Sequence, residues 1–303
     1  MTIWRYDNVR CMLAIPDRAM RTTVRHSLAA RGLKTLVEAA ELDDVRAGLA
    51  AGQVDLLITS AEIRGGDIGL MLQELRHSKI GDNPFVIVMT LLDNPNTDLV
   101  RRVVDTGTDD LLLMPMLPAQ MVGRLDNFVT SRKQFVITHD YIGPDRRIGE
   151  RAGTKPAPRV DVPNPIRWQV VANADRKSLD QQIRDASLMI SMHKMRRFCI
   201  QIDWLVDRIV RSYFGGNPAE VIALAGSLGS ISDELMFRMK GTVYMQATEL
   251  VVSLKALSER LAREDRQAKP AEVEILPSLA RAVQLIFDDD AEATASLVAA
   301  TAG

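Results

Sequence analysis

From about residue 9 to residue 132, short apolar runs alternate with longer stretches in which apolar residues recur every three to four positions. The runs at 11–15, 35–39, 56–60, 85–90 and 111–113 read as strands, being too short for buried helices and bounded by turn formers. Between them lie helical patterns such as Met20, Val24 and Leu28 on one stripe, closed by Gly32. Nearly continuous apolar strands separated by amphipathic helices imply a parallel sheet covered on both faces. The pattern therefore predicts an α/β domain over 1–132, a doubly wound five-stranded parallel sheet.

Over 133–177 the periodicity gives way to Gly, Pro and Arg. Gly143-Pro144-Asp145-Arg146-Arg147 is followed by Pro156, Pro158, Pro163 and Pro165, a composition that predicts an extended linker. Residues 178–290 read as a separate all-α helical bundle. Leu179, Ile183, Met189, Ile202, Leu205, Ile209 and Tyr213 trace one stripe that Gly215-Gly216 stops. Asn217-Pro218-Ala219-Glu220 then has the cap, first-turn proline and acidic residue of a helix start. Val243, Ala247, Leu250, Leu254, Leu257 and Leu261 alternate spacings of four and three, as a bundle or coiled-coil seam does. A last helix is expected near Pro277, and 291–303 is an Ala-rich tail.

Composition narrows the function classes. With 303 residues and 47% hydrophobic content, two cores are expected. Lys and Arg number 38 against 39 Asp and Glu, so the chain as a whole is not built for a polyanion. Arg146, Arg147, Arg151, Lys155 and Arg159 make the linker basic, but only Tyr141 and Trp168 could stack on bases. A solvated or domain-docking linker is the favoured reading, and a nucleic-acid-binding regulator stands as a second alternative. Cys11 and Cys199 lie far apart in apolar segments and read as buried thiols of a reducing compartment. No basic N-terminal segment precedes an apolar stretch and no apolar run of about 18 residues occurs, so neither export nor membrane spanning is expected, and the predicted location is cytoplasmic, with no membrane partner.

Candidate chemistry gathers at the ends of the predicted strands. Asp55 opens the third run, and Ser60 closes it. Asp67 lies seven residues further on, Thr90 closes the fourth run, Gly107-Thr108-Asp109-Asp110 precedes the fifth, and Met114-Pro115 follows it. This set of spacings resembles the CheY-like receiver domain of response regulators, a flavodoxin-like module in which an aspartate on the third strand accepts phosphate from a histidine kinase. The resemblance implies acidic residues after the first strand to hold Mg²⁺, a carboxylate nucleophile, a hydroxyl for the phosphoryl group and a lysine to pair with it. Those places are taken here by Ile15 and Pro16, Ser60, Thr90 and Met114, with Asp17 next to the first pair. Only the hydroxyl remains. Ile15, Pro16, Asp17, Ser60, Thr90 and Met114 are therefore expected to form a degenerate phosphoacceptor pocket in a pseudo-receiver without catalytic residue, metal or cofactor. Two readings of Ser60 and Thr90 stay open: they satisfy local groups at strand ends, or with Asp17 they line a small polar ligand pocket.

The helical region holds one histidine, His193, with Met and Arg neighbours and no adjacent acid. It is the candidate residue for a phosphotransfer alternative. Gly226 and Gly229 predict either a close helix approach or a break. The expected function is a nonenzymatic signalling protein in a two-component or phosphorelay context, acting through protein partners. Homo-oligomerisation is expected through the C-terminal helices, on the strength of the 243–261 seam.

Overall fold

Five strands, β1 (Arg10–Ala14), β2 (Thr35–Glu38), β3 (Leu56–Ser60), β4 (Ile87–Leu92) and β5 (Asp110–Leu113), pair in parallel in the order β2-β1-β3-β4-β5. Helices α1 (Arg18–Ala29), α2 (Leu42–Ala50), α3 (Ile68–Arg76), α4 (Thr97–Asp105) and α5 (Pro118–Thr130) connect and follow them. This is the flavodoxin-like doubly wound order. The computed structural model describes residues 4–93, 95–147, 157–171, 176–265 and 268–288. The chain divides into two units, Met1–Ile190 and Ser191–Gly303.

Strand alternation explains the two layers of the sheet. Cys11, Leu13, Leu56, Ile58, Ile87 and Met89 face Val24 and Leu28 of α1 and Met121 and Leu125 of α5. Their neighbours Met12, Ala14, Leu57 and Val88 face Val45 and Leu49 of α2 and Met71 and Leu75 of α3. A side-chain period of two sends consecutive residues to opposite faces, so strands that are apolar throughout feed both cores. Helix α4 differs, burying only Val103.

The expected linker over 133–177 is not structureless where it is described. Phe135–Ile137 (β6) pairs antiparallel with Ile142–Pro144 (β7) and Arg159–Val160 (β8), and Pro165–Val171 forms α6. Phe135, Ile137, Ile142 and Val160 build a further core with Phe85 and with Leu179, Ile183, Ala186 and Ile190. Each fully buried apolar side chain contributes about 1.5–3 kcal/mol, enough to hold strands of only two or three residues. Ahead of and within α6, Asn164 donates to the Phe128 carbonyl at 2.6 Å and Arg167 to that of Val129 at 3.0 Å. These bonds satisfy carbonyls left open at the end of α5. Gly107 lets the β7 backbone approach: at φ +85°, a Cβ there would stand 2.8 Å from the Ile142 carbonyl oxygen. Lys155, Arg151 and Pro156, counted in the expected linker, lie outside the described residues, as does the 291–303 tail.

Helix α7 (Arg176–Phe214) carries the long apolar stripe, but the stripe serves two cores. Leu179 and Ile183 belong to the core of the small sheet, whereas Ile202, Leu205 and Ile209 belong to that of the second unit. The boundary between units accordingly falls after Ile190 instead of at 178. In the second unit the rest of α7 joins α8 (Pro218–Met239), α9 (Thr248–Leu261), α10 (Pro270–Glu274) and α11 (Leu276–Asp288), with a 3₁₀ turn at Val243–Ala247. Asn217 caps α8 as expected, accepting from the Glu220 amide. Helix α8 runs unbroken through Gly226 and Gly229, and Gly229 faces Ser258 of α9.

Most of the 243–261 seam lies inside the chain's own bundle. Leu254, Leu257 and Leu261 are buried in the chain's own core, while Val243 sits in the 3₁₀ turn and is 76% exposed. Among the described residues no helix is long and apolar enough to cross a membrane.

Candidate functional site

The carboxyl ends of β1, β3, β4 and β5 bring the expected pocket residues to one edge of the sheet. Ile15 is fully buried in the cluster that covers the α1 and α5 face, and Met114, half-buried, packs against the same cluster. Two places that the receiver pattern gives to charged groups have thus joined one apolar core. Pro16 is exposed, and Asp17 is occupied as the cap of α1, its carboxylate accepting the Met20 amide at 2.6 Å. The Met114–Pro115 peptide is cis.

Arg21, which the strand-end pattern does not single out, reaches back over this edge. Its guanidinium donates to the Ile15 carbonyl at 2.6 Å and pairs with Glu38 at 3.0 Å. A fixed cation therefore lies against the end of β1, next to the position where the receiver pattern has carboxylates. The signal was an arginine one helical turn past the Asp17 cap, which spacing alone does not distinguish from a solvated one.

Ser60 ends β3 half-buried, and its carbonyl accepts from the Thr59 hydroxyl at 3.0 Å. Thr90 is buried, and its hydroxyl lies 2.9 Å from that of Thr108. Thr108 in turn donates toward the carbonyls of Val88 and Asp110, each at 3.1 Å. A hydroxyl has one proton, so with Thr108 donating to backbone, Thr90 donates to Thr108. Of the two readings left open for Thr90, the structure favours local satisfaction, supplied by a threonine instead of by backbone directly.

The remaining acidic residues of the pattern have separate local roles. Asp67 caps α3, accepting from the Gly69 and Leu70 amides. Asp55 lies at the opposite end of β3, where Arg10 grips both its oxygens at 2.7 and 3.0 Å. Asp109 is buried between Arg76 at 2.7 Å and Arg132 at 3.1 Å. Among the described residues no three His, Cys, Asp or Glu side chains gather in a way that could hold a metal ion. His193, half-buried on α7, is not part of this edge. Burial, with the nearby charges of Arg196 and Arg197, holds its pKa below the ordinary histidine value.

Space at this edge is displaced by one strand from the expected pocket. A cavity of about 420 Å³ opens between α3 and α4, lined by Thr90 but by none of Ile15, Asp17, Ser60 or Met114. It exists because α4 buries so little against the sheet, and it lies beyond the β1–β3 switch point where open α/β sheets usually bind ligands.

No protein-family model and no curated protein matches the chain. Solved structures do. The chemotaxis protein CheY4 of Vibrio cholerae is 17% identical over 39% of this chain and 98% of its own, with a TM-score of 0.35. A response regulator signal receiver domain from Bermanella marisrubri is 16% identical over 39% of this chain and 95% of its own, with a TM-score of 0.35. Full-length FixJ from B. japonicum is 13% identical over 90% of this chain and 97% of its own, with a TM-score of 0.32. The N-terminal part of the chain is similar in fold to CheY-like receiver domains. Its flavodoxin-like class follows independently from the strand order and the all-parallel pairing.

Proposed function

We propose that this protein is a noncatalytic signalling adaptor of a two-component or phosphorelay system, working in the cytoplasm through protein contacts, without conventional aspartate phosphorylation. One observation carries the reading: Ile15 and Met114, at positions where the receiver pattern needs charge, are joined to a single apolar cluster. An apolar side chain cannot neutralise a phosphoryl group, and a serine at position 60 cannot form an acyl phosphate. The Arg21 guanidinium over the β1 end further disfavours a divalent cation there by like-charge repulsion.

The test is the intact mass of the full chain after incubation with acetyl phosphate and Mg²⁺. The expected result is no gain of a phosphate, and stoichiometric uptake lost in Ser60→Ala would refute the proposal. Radiolabel transfer from a histidine kinase or its phosphorylated receiver, abolished by His193→Gln, would instead establish the phosphotransfer alternative.

A further inference from the structure

The cavity between α3 and α4 has a chemical character that the receiver-like pocket lacks. Its floor includes the buried side chains of Ile68, Leu72 and Val103. Its mouth carries Glu62, Arg102 and Asp105, all exposed, and none is ion-paired among the described residues. Asp67 adds a third carboxylate, so carboxylates outnumber guanidinium groups three to one in a chain whose formal net charge is only −1. Leu70, 61% exposed, continues the apolar surface along α3 at the rim.

These features discriminate among occupants. An acidic mouth disfavours phosphate and other anions, while an apolar floor offers nothing to a small hydrated cation. Leu70, 61% exposed at the rim, adds apolar surface that an elongated partner can cover together with the floor. An amphipathic helix satisfies all three conditions, placing an apolar residue on the floor and basic residues against the carboxylates. We infer that the α3–α4 cavity receives a basic amphipathic helix of a partner protein, with one apolar side chain inserted over Val103 and Lys or Arg side chains meeting Glu62 and Asp105. The inference rests on the adaptor reading and names the chemistry of its partner.

The experiment uses the full chain and a synthetic helical peptide with leucine and lysine at three- and four-residue spacings. Calorimetry reads the affinity, and amide NMR reads the place. Binding is expected to weaken with salt and to shift the amides of Gly69, Val103 and Thr106. The double variant Glu62→Lys/Asp105→Lys should weaken it about tenfold or more, because like charges then face each other. Leu70→Asp should weaken it as well, whereas Glu249→Lys, an exposed charge reversal on α9, should leave it unchanged. Absence of binding, equal affinity in the double variant, equal affinity for a leucine–glutamate peptide, or full competition by a simple alkyl amine would each overturn the inference. Affinity capture from native extract reads the adaptor proposal separately. No captured protein refutes that proposal, while equal capture of the same proteins by wild type and double variant leaves it standing and refutes the cavity assignment.

Discussion

Arg76 and Arg132 both stack against Phe135, each guanidinium carbon 5.2 Å from the centre of its ring. Both also bind Asp109, and all three charged side chains are at most 4% exposed. Arg76 further donates to the carbonyls of Gly107, Pro84 and Val86, and Arg132 to that of Phe85. The aromatic ring comes from β6, so one cluster ties the small sheet to the end of the parallel sheet. Burial and the like charge of Arg76 hold the Arg132 pKa down, while Asp109 opposes both effects.

Asp109→Asn keeps the shape but leaves two buried guanidinium groups without a counter-charge. The expected loss is about 3–5 kcal/mol, as for other broken buried pairs. Urea denaturation measures it, and a change below about 1 kcal/mol would show that the cluster does not hold the two sheets together.

Acid should weaken the strap between β7 and β8 in a defined window. Hydrogen bonding from Arg147, joined by Arg159, lowers the Asp145 carboxyl from 3.8 to about 2. Because the folded value is the lower one, the stabilisation is complete above the unfolded value and is lost as pH falls through about 2. The group lies near the surface, so the effect is below about 1 kcal/mol. Thermal melts of wild type and Asp145→Asn should differ at pH 5 and converge toward pH 2; a gap that persists in acid would contradict the pairing.

Replacing the two strand-end residues with aspartate should have unequal consequences. Ile15→Asp puts a carboxyl into an apolar cluster where Ile15 is 0% exposed, at a cost of about 3 kcal/mol or more. Ser60→Asp, at a half-buried strand end, should change stability by less than about 1 kcal/mol. It should not confer phosphate uptake, because Ile15, Pro16 and Met114 remain. Denaturation and intact-mass measurement on both variants test this.

Two glycines on α8 should respond in opposite directions. A Cβ at Gly229 would lie 3.1 Å from the Ser258 hydroxyl, so Gly229→Val should cost about 1–3 kcal/mol by overpacking the α8–α9 contact. Gly226 faces open space, and Gly226→Ala should stabilise the helix by up to about 1 kcal/mol. Chemical denaturation of the two variants provides the comparison.

The parallel sheet was legible from the chain alone. Apolar runs ending at Ser60 and Thr90 report burial on both faces through local spacing, and observed strand ends differ from the expected ones by at most two residues. The apolar residues Ile15 and Met114 were equally readable, since they concern only which residue stands at a strand end. So was the Asn217 cap, whose hydrogen bond spans only three residues.

Only the tertiary structure decided that 135–147 and 157–171 pack as part of the first unit, that Leu254 and Leu257 are spent inside their own bundle, and that α3 and α4 leave a cavity beside Thr90. Strands of two and three residues carry too little periodicity to be read, and Arg76, Asp109, Arg132 and Phe135 gain their roles from contacts between distant parts of the chain. Local patterns register which side of an element is apolar. What that side finally covers is set by the packing of elements, where burial energy and the pairing of buried charge are settled together.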